Sequence, residues 1–451
     1  MADGSTCPAQ LIALWRVYAV AVSISGLLAY PLGLAFDLCG TLKLRLVAIF
    51  LFTSATFLLT FATPGVSWLL YPGWCLLGAG GSLILLTNLQ ISNYFATWRN
   101  TVLLCFLGAH QASAYLIVII KISADAGLNI QTSFMFLTVS IVPLLVNTIA
   151  FLPRSRLPWP MPSEYSELPD SISTYIRRKR LCDVDAPESM PRTRMSFRAI
   201  LTSRLYLTQL VWFSLIMLSL NVTRIYSGFS NTGTGGNTIA FSDHVLLLGL
   251  ISVLPVGLTL DRCPRSGQES VRRKSFMRNL SAVCAMLWVV TLGMSILLLG
   301  TRADISDFVY VLEAVTRPVL LGTNAIILGT IYPFENFGRL YGTCLAVAEV
   351  VSSLQYSLVT GTQLRVDNAV SIDSYYHNAV STDSYYRNAI TCATLLLAGG
   401  AYPWLLWNQS TKHYFATTPS PVEMQSTRPV SQRRTDTLST KLAVVRDESR
   451  M

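Results

Sequence analysis

Pro31, Leu32, Gly33, Leu34, Ala35, Phe36, Asp37, Leu38, Cys39 returns 224 residues later as Pro255, Val256, Gly257, Leu258, Thr259, Leu260, Asp261, Arg262, Cys263. Each copy closes an apolar run with a glycine, a carboxylate four residues on, and cations beyond: Lys43 and Arg45 after the first, Arg262 and Arg265 with the second. Glycine lets two helices approach closely, and an aspartate can accept charge-assisted hydrogen bonds. Gly33, Asp37, Gly257, Asp261 and Arg262 therefore read as a conformational latch. One such motif at a helix end is a common accident. Two, separated by six apolar runs, imply a chain built from two related halves of six helices.

The runs themselves set the class. Of 451 residues, 52% are hydrophobic and 13% charged, about half the charge of an ordinary soluble domain. A bilayer core takes about 20 apolar residues as helix. Eleven runs qualify, expected over 14–36, 44–63, 67–93, 101–122, 133–152, 205–228, 239–260, 280–300, 307–332, 340–360 and 388–407. Twenty-seven of the 34 Lys and Arg residues fall in alternate gaps and the C-terminal tail, which the positive-inside rule assigns to the cytoplasm.

The fold class expected is thus an all-α polytopic membrane protein: an N-terminal half over 1–152, a cytoplasmic linker over 153–204, a C-terminal half over 205–408, and a disordered cytoplasmic tail over 409–451. The second copy of the repeat follows two runs of its half and the first copy only one, so the opening helix of a twelve-helix plan is expected to be missing. A tandem ten-residue duplication at 370–389 reads as a lengthened outer loop.

Other classes lack their residues. The net charge of +10 comes without any nucleic-acid-binding motif. Nine scattered cysteines show no C-x-x-C pair and no metal-like spacing to histidine. Phosphate-loop, H-E-x-x-H and G-x-S-x-G motifs are missing, so neither ATP-driven pumping nor hydrolysis is supported, and no cofactor or metal is expected.

The repeat motif resembles the loop motif of the major facilitator superfamily. Longer stretches resemble solute carrier family 43: Gly80 through Asn93, Leu152-Pro153-Arg154 with Pro158 through Pro162, Thr316-Arg317 with Gly322 through Ala325, Phe334 through Gly342, and Val350 through Gln355. That resemblance implies the facilitator fold and sodium-independent, bidirectional movement of purine nucleobases, such as adenine, guanine and hypoxanthine, across the plasma membrane. Sister members carry large neutral amino acids, which stands as the alternative, beside a non-transporting membrane protein disabled by the lost helix.

In the facilitator fold, helices 1, 4, 7 and 10 line the cavity, and polar groups in a span are functional candidates by default. Thr87, Asn88 and Gln90 offer hydroxyl and amide groups suited to a purine edge, with helix-to-helix bonding as the equal alternative. Asn221, Thr223, Arg224 and Tyr226 lie on one later span, where the sequon at Asn221 reads as too deep for a glycan. Glu313 and Arg317 are spaced to pair along one helix face, with Asn324 seven residues on. The fork of Arg317 could bind a carbonyl oxygen and a ring nitrogen. Substrate contacts are thus expected from Thr87, Asn88, Gln90, Asn221, Glu313, Arg317 and Asn324. His110, Gln111, Ser113, Glu349 and Gln355 are further intramembrane polar groups, and Glu349 has no partner by spacing.

Overall fold

The computed structural model describes residues 8–95, 97–150, 159, 196–232, 244–262, 269–298, 303–353 and 382–411, and every regular element among them is helical. The N-terminal half holds α1 (Pro8–Cys39), α2 (Thr41–Thr60), α3 (Leu70–Leu89), α4 (Arg99–Ala112), α5 (Tyr115–Asp125), α6 (Ile130–Val139) and α7 (Ile141–Ala150). Single 3-10 segments, Pro64–Leu69 and Gln90–Tyr94, flank α3. A short α8 (Phe197–Leu201) leads into the C-terminal half: α9 (Arg204–Thr232), α10 (Leu248–Asp261), α11 (Glu269–Leu297), α12 (Ala303–Ile331), α13 (Phe337–Ser352), α14 (Thr382–Gly399) and α15 (Ala401–Thr411).

Each of the eleven expected runs meets a helix. Nine are long and apolar enough to cross a membrane among the described residues. The runs at 239–260 and 340–360 meet shorter helices, α10 of 14 residues and α13 of 16, which adjoin residues outside the description. Helix is the required answer here, because a single segment in lipid must satisfy its own backbone groups. The chain turns from α1 into α2 at Gly40, whose φ of 78° lies in the left-handed region that a glycine enters without strain.

The outer surface explains the composition. Phe50, Phe136, Ile149, Ile251, Leu397 and Trp404 are each more than 60% exposed. Water would not tolerate such a belt, and a bilayer does. Inside, a continuous apolar core runs from Phe36, Leu83 and Leu104 through Trp212, Phe213 and Ile326 to Tyr402.

The halves meet along two seams, α1 against α13 and α4 against α10 and α12. Small residues set the closeness of both. A Cβ on Gly33 would fall 2.0 Å from the Gly338 carbonyl oxygen, and one on Gly257 would fall 2.6 Å from Thr101 Cα. Each repeat glycine therefore presses on the helix start that its own aspartate caps.

One expectation is corrected. Residues 382–389, the greater part of the second duplicated decapeptide, form the start of α14 instead of a loop; the first decapeptide lies outside the described residues. The end of the linker holds α8, capped by Ser196 Oγ, which accepts from the Ala199 N–H. The rest of the linker, apart from Trp159, and the tail beyond Thr411 lie outside the described residues.

Candidate functional site

At both copies of the repeat the aspartate bonds to the opposite half. Asp37, at the end of α1, accepts from the Gly338 N–H at 3.0 Å and the Arg339 N–H at 2.9 Å, and the Arg339 guanidinium lies 3.6 Å from the same carboxylate. Asp261, at the end of α10, accepts from the Asn100 and Thr101 N–H groups at 3.2 and 2.8 Å, and from their side chains at 2.9 and 2.6 Å. Both carboxylates sit on helix N-termini of the opposite half, where unpaired N–H groups and the helix dipole favour negative charge.

Of the expected cations, Arg265 lies outside the described residues. Arg262 is exposed at the C-cap of α10. Arg45 is buried and bonds to Ile84, Thr87 and Asn88 of α3. Arg339 and Arg99 accompany the carboxylates, each on the helix that its aspartate caps. Arg99 is almost fully buried; it donates to Asn93 Oδ1 at 2.9 Å, reaches Asn100 Oδ1 and Thr330 Oγ1 at 3.4 Å, and lies under the Trp159 ring, 4.3 Å from its centroid. Sequence reading passed over Arg99 because it lies in a gap. Aligning the two halves signals the capped helix start but not the cation, since Arg99-Asn100-Thr101 occupies the place of Phe337-Gly338-Arg339 and sets Arg99 opposite Phe337.

Thr87, Asn88 and Gln90 are not presented to an open cavity. Arg45 Nη1 donates to Thr87 Oγ1 at 2.8 Å, to Asn88 Oδ1 at 2.7 Å and to the Ile84 carbonyl at 2.9 Å, while Gln90 Nε2 donates to Thr41 Oγ1. These bonds tie α2 to α3 and to the 3-10 segment that follows it. The helix-to-helix alternative describes them, and the physical reason is Arg45: a guanidinium in the apolar core must find acceptors on the nearest helix.

The remaining candidates do converge. Glu313 on α12 is fully buried and pairs with Arg317 one turn on through Nε, and with Arg224 of α9, whose Nη2 lies 3.0 Å from Oε1 and 3.2 Å from Oε2. Arg317 Nη2 donates to Asn221 Oδ1 at 2.8 Å. Gln209 Nε2 donates to Asn324 Oδ1 at 2.8 Å, so Arg317 and Asn324 both face α9, as their spacing requires. Asn324 nevertheless sits deeper in protein, fully buried. Thr223, the last residue of the Asn221 sequon, is also buried and donates to the Ser219 carbonyl.

Depth follows from helix rise. At about 1.5 Å per residue, Arg317, Glu349 and Gly26 lie roughly 20 Å from the latch ends of α12, α13 and α1, and Asn221 roughly 25 Å from the start of α9. The charged cluster therefore sits near the middle of a bilayer about 40–45 Å thick with its headgroup regions included. Glu349 completes it. It is 9% exposed, packs on Gly26 of the other half, and lies within electrostatic reach of Arg317.

The other polar residues stay apart. His110 and Ser113 are exposed, Gln111 is buried against Gly249 of α10, the Tyr226 side chain is not described, and Gln355 lies outside the described residues. A cavity of about 310 Å³ between α10 and α11 is lined by Pro255, Val256, Thr259, Asn279, Ala282, Val283 and Met286. It holds no charged group, and is remote from the cluster. Among the described residues no group of three metal-ligating side chains occurs.

Comparison with known proteins agrees with this architecture. No protein-family model matches the chain. A curated relative, equilibrative nucleobase transporter 1 of Bos taurus, is 29% identical over 374 residues, an alignment covering 76% of each chain. Among solved structures, the human organic anion transporter MFSD10 (TETRAN) superposes with a TM-score of 0.50 at 14% identity, over 87% of this chain and 83% of that one. A bacterial homologue of the iron transporter ferroportin, solved in an outward-facing state, gives 0.52 at 11% identity, over 87% and 92%. The chain is a multi-pass membrane protein with the major facilitator fold, and its sequence is similar to that of an equilibrative nucleobase transporter.

Proposed function

We propose that the chain is a facilitative, sodium-independent transporter of purine nucleobases in the plasma membrane, with its latch ends toward the cytoplasm. The observation that carries this reading is the mid-depth cluster of Arg224, Glu313, Arg317 and Asn221. Four polar side chains at this depth, Glu313 and Arg317 buried and Asn221 and Arg224 half-buried, are costly to keep for packing alone. Two cations share one carboxylate there, which leaves donor capacity for a neutral solute rich in acceptors. Arg317 has five N–H donors, and its bonds to Glu313 and Asn221 hold the guanidinium plane in place. A 6-oxopurine such as guanine or hypoxanthine presents a ring nitrogen beside an exocyclic oxygen, the pair that such a fork reads, and adenine presents the ring nitrogen alone. The named relative supports the same solute class.

Alternating access supplies the mechanism. Rocking of the halves about the two glycine seams would expose the cluster to one side at a time, with the Asp37 and Asp261 caps formed in only one of the two states. The arrangement needs no ATP and no ion gradient.

Uptake of labelled adenine and guanine into proteoliposomes tests the reading. Wild-type protein should carry nucleobases equally well in sodium and choline buffers, and Arg317→Ala should lose at least tenfold in initial rate. Equal rates for the two proteins would remove Arg317 from the site. Charges of both signs also suit a zwitterion, so uptake of leucine in place of nucleobase would select the amino acid reading.

A further inference from the structure

Glu349 is the one member of the central cluster that the transport scheme leaves idle. It comes from α13, whereas Glu313 and Arg317 come from α12 and Arg224 from α9. Its residue is nine-tenths buried, and its Oε1 has no hydrogen-bond partner. Its stem is clamped: a Cβ on Gly26 would fall 2.4 Å from Glu349 Cγ and 2.6 Å from its Cβ, so α1 packs directly on it. The carboxylate is therefore fixed at the depth of Arg317, within electrostatic reach of it, and lacks the hydrogen bonds that a buried acceptor requires. An unfilled carboxylate beside a held guanidinium is a donor-seeking edge facing an acceptor-seeking one.

We propose that Glu349 is a specificity-determining residue that favours purines carrying adjacent N–H donors, the 2-amino-6-oxo pattern of guanine, over 6-aminopurines. This rests on the nucleobase reading above. Guanine offers O6 and N7 as acceptors on one edge and N1–H with the 2-amino group as donors on the next. Arg317 takes the first pair, and the two carboxylate oxygens of Glu349 take the second. Hypoxanthine supplies N1–H alone, so it fills one oxygen. Adenine turns the N1 lone pair toward the carboxylate, which repels it and leaves the acceptor unsatisfied. A site built around a polar contact rejects the analogue lacking that contact more strongly than an apolar pocket rejects a change of size. The wild-type order is guanine, then hypoxanthine, then adenine. The difference between the extremes is roughly ten- to hundredfold in uptake efficiency, as for a two-point base contact.

The test measures initial uptake of the three labelled purines by wild type, Glu349→Gln and Glu349→Asp in proteoliposomes, as ratios within each protein. Glutamine replaces one acceptor by a donor and so matches the N1 and 6-amino pattern of adenine. Glu349→Gln should lower the guanine to adenine ratio at least tenfold while adenine uptake holds or rises. Glu349→Asp keeps the carboxylate on a shorter stem and should keep the wild-type order at reduced rates. A merely structural carboxylate would lower all three purines together and leave the ratios unchanged, and that outcome overturns the proposal. Wild-type uptake in which adenine equals or exceeds guanine overturns it as well, while leaving nucleobase transport intact. Wild-type failure to move any purine overturns both.

Discussion

Gly33 offers the sharpest test of the latch, because the obstacle to substituting it is backbone. In Gly33→Ala the new Cβ would fall 2.0 Å from the Gly338 carbonyl oxygen and 2.7 Å from its carbon. Neither atom can rotate away. Carbon contacts relax only near 3.5 Å, so α1 and α13 must separate by about 1.5 Å at this point. The bonds from the Gly338 and Arg339 N–H groups to Asp37, now 3.0 and 2.9 Å, would stretch past 4 Å and cease to count. Two bonds to an ionised acceptor contribute about 1.5 kcal/mol each at the low end. The loss falls only on the state with the latch closed, because the open state hydrates Asp37. A change of about 3 kcal/mol shifts the ratio of the two states about a hundredfold.

Alkylation reads that shift. Leu104 of α4 is fully buried and lies against Gly322 of α12, on the other seam. A cysteine placed there, with the native cysteines replaced by serine, reacts only when the halves part. Its labelling rate in membranes should rise about a hundredfold when Gly33→Ala is added. Gly81→Ala, whose Cβ meets nothing within 4 Å, should leave the rate unchanged. Equal rates with glycine and alanine at position 33, in protein that remains folded, would refute the claim that contact at this glycine holds the latch closed.

Two further outcomes follow from the same geometry. Asn88→Ala removes one 2.7 Å bond to the buried Arg45 and should destabilise the purified protein by about 1.5 to 3 kcal/mol while leaving the KM for purines within twofold; a tenfold rise in KM would return Asn88 to the solute site. Trp159→Ala uncovers Arg99, on which the ring now sits at 4.3 Å, and should speed Leu104→Cys labelling several-fold, since a desolvated cation–π contact contributes about 1 to 2 kcal/mol. No change in labelling would make the Trp159 contact incidental to the latch.

What could be read from the chain before folding divides along a physical line. The spans were legible because the bilayer imposes length and apolarity on each segment separately, and α1, α9 and α12 each cover the run that composition marks. The Glu313 and Arg317 pair was legible because one helical turn fixes it. Long-range pairings were not. Asp37 bonds residues 301 and 302 positions away, and nothing local to Lys43 or Arg45 reveals that Arg339 is its cation. Thr87 and Asn88 look the same in sequence whether they face a solute or a neighbour, and only the arrival of Arg45 from α2 decides between them. Glu349 looked isolated for the same reason, since its surroundings come from α1 and α12.

The placement of Glu349 also says how a solute could move the latch. A ligand shifts a conformational equilibrium only through contacts that differ between the two states. Gly26 and Gly33 lie two helical turns apart on α1, and their counterparts Glu349 and Gly338 lie three turns apart on α13, so one seam carries both the site and the cap. While the Asp37 bonds hold, Gly26 stays against the Glu349 stem and the carboxylate keeps its place beside Arg317. When they break, α1 withdraws and that clamp is gone. A purine bridging Arg317 and Glu349 would then have to do what Gly26 did, holding the carboxylate from the solute side. Binding and closure should therefore reinforce each other, and Gly26→Ala, which pushes Glu349 aside without touching either aspartate, should weaken purine binding and speed Leu104→Cys labelling together. If only one of the two changed, the site and the latch would be separate devices that happen to share a helix.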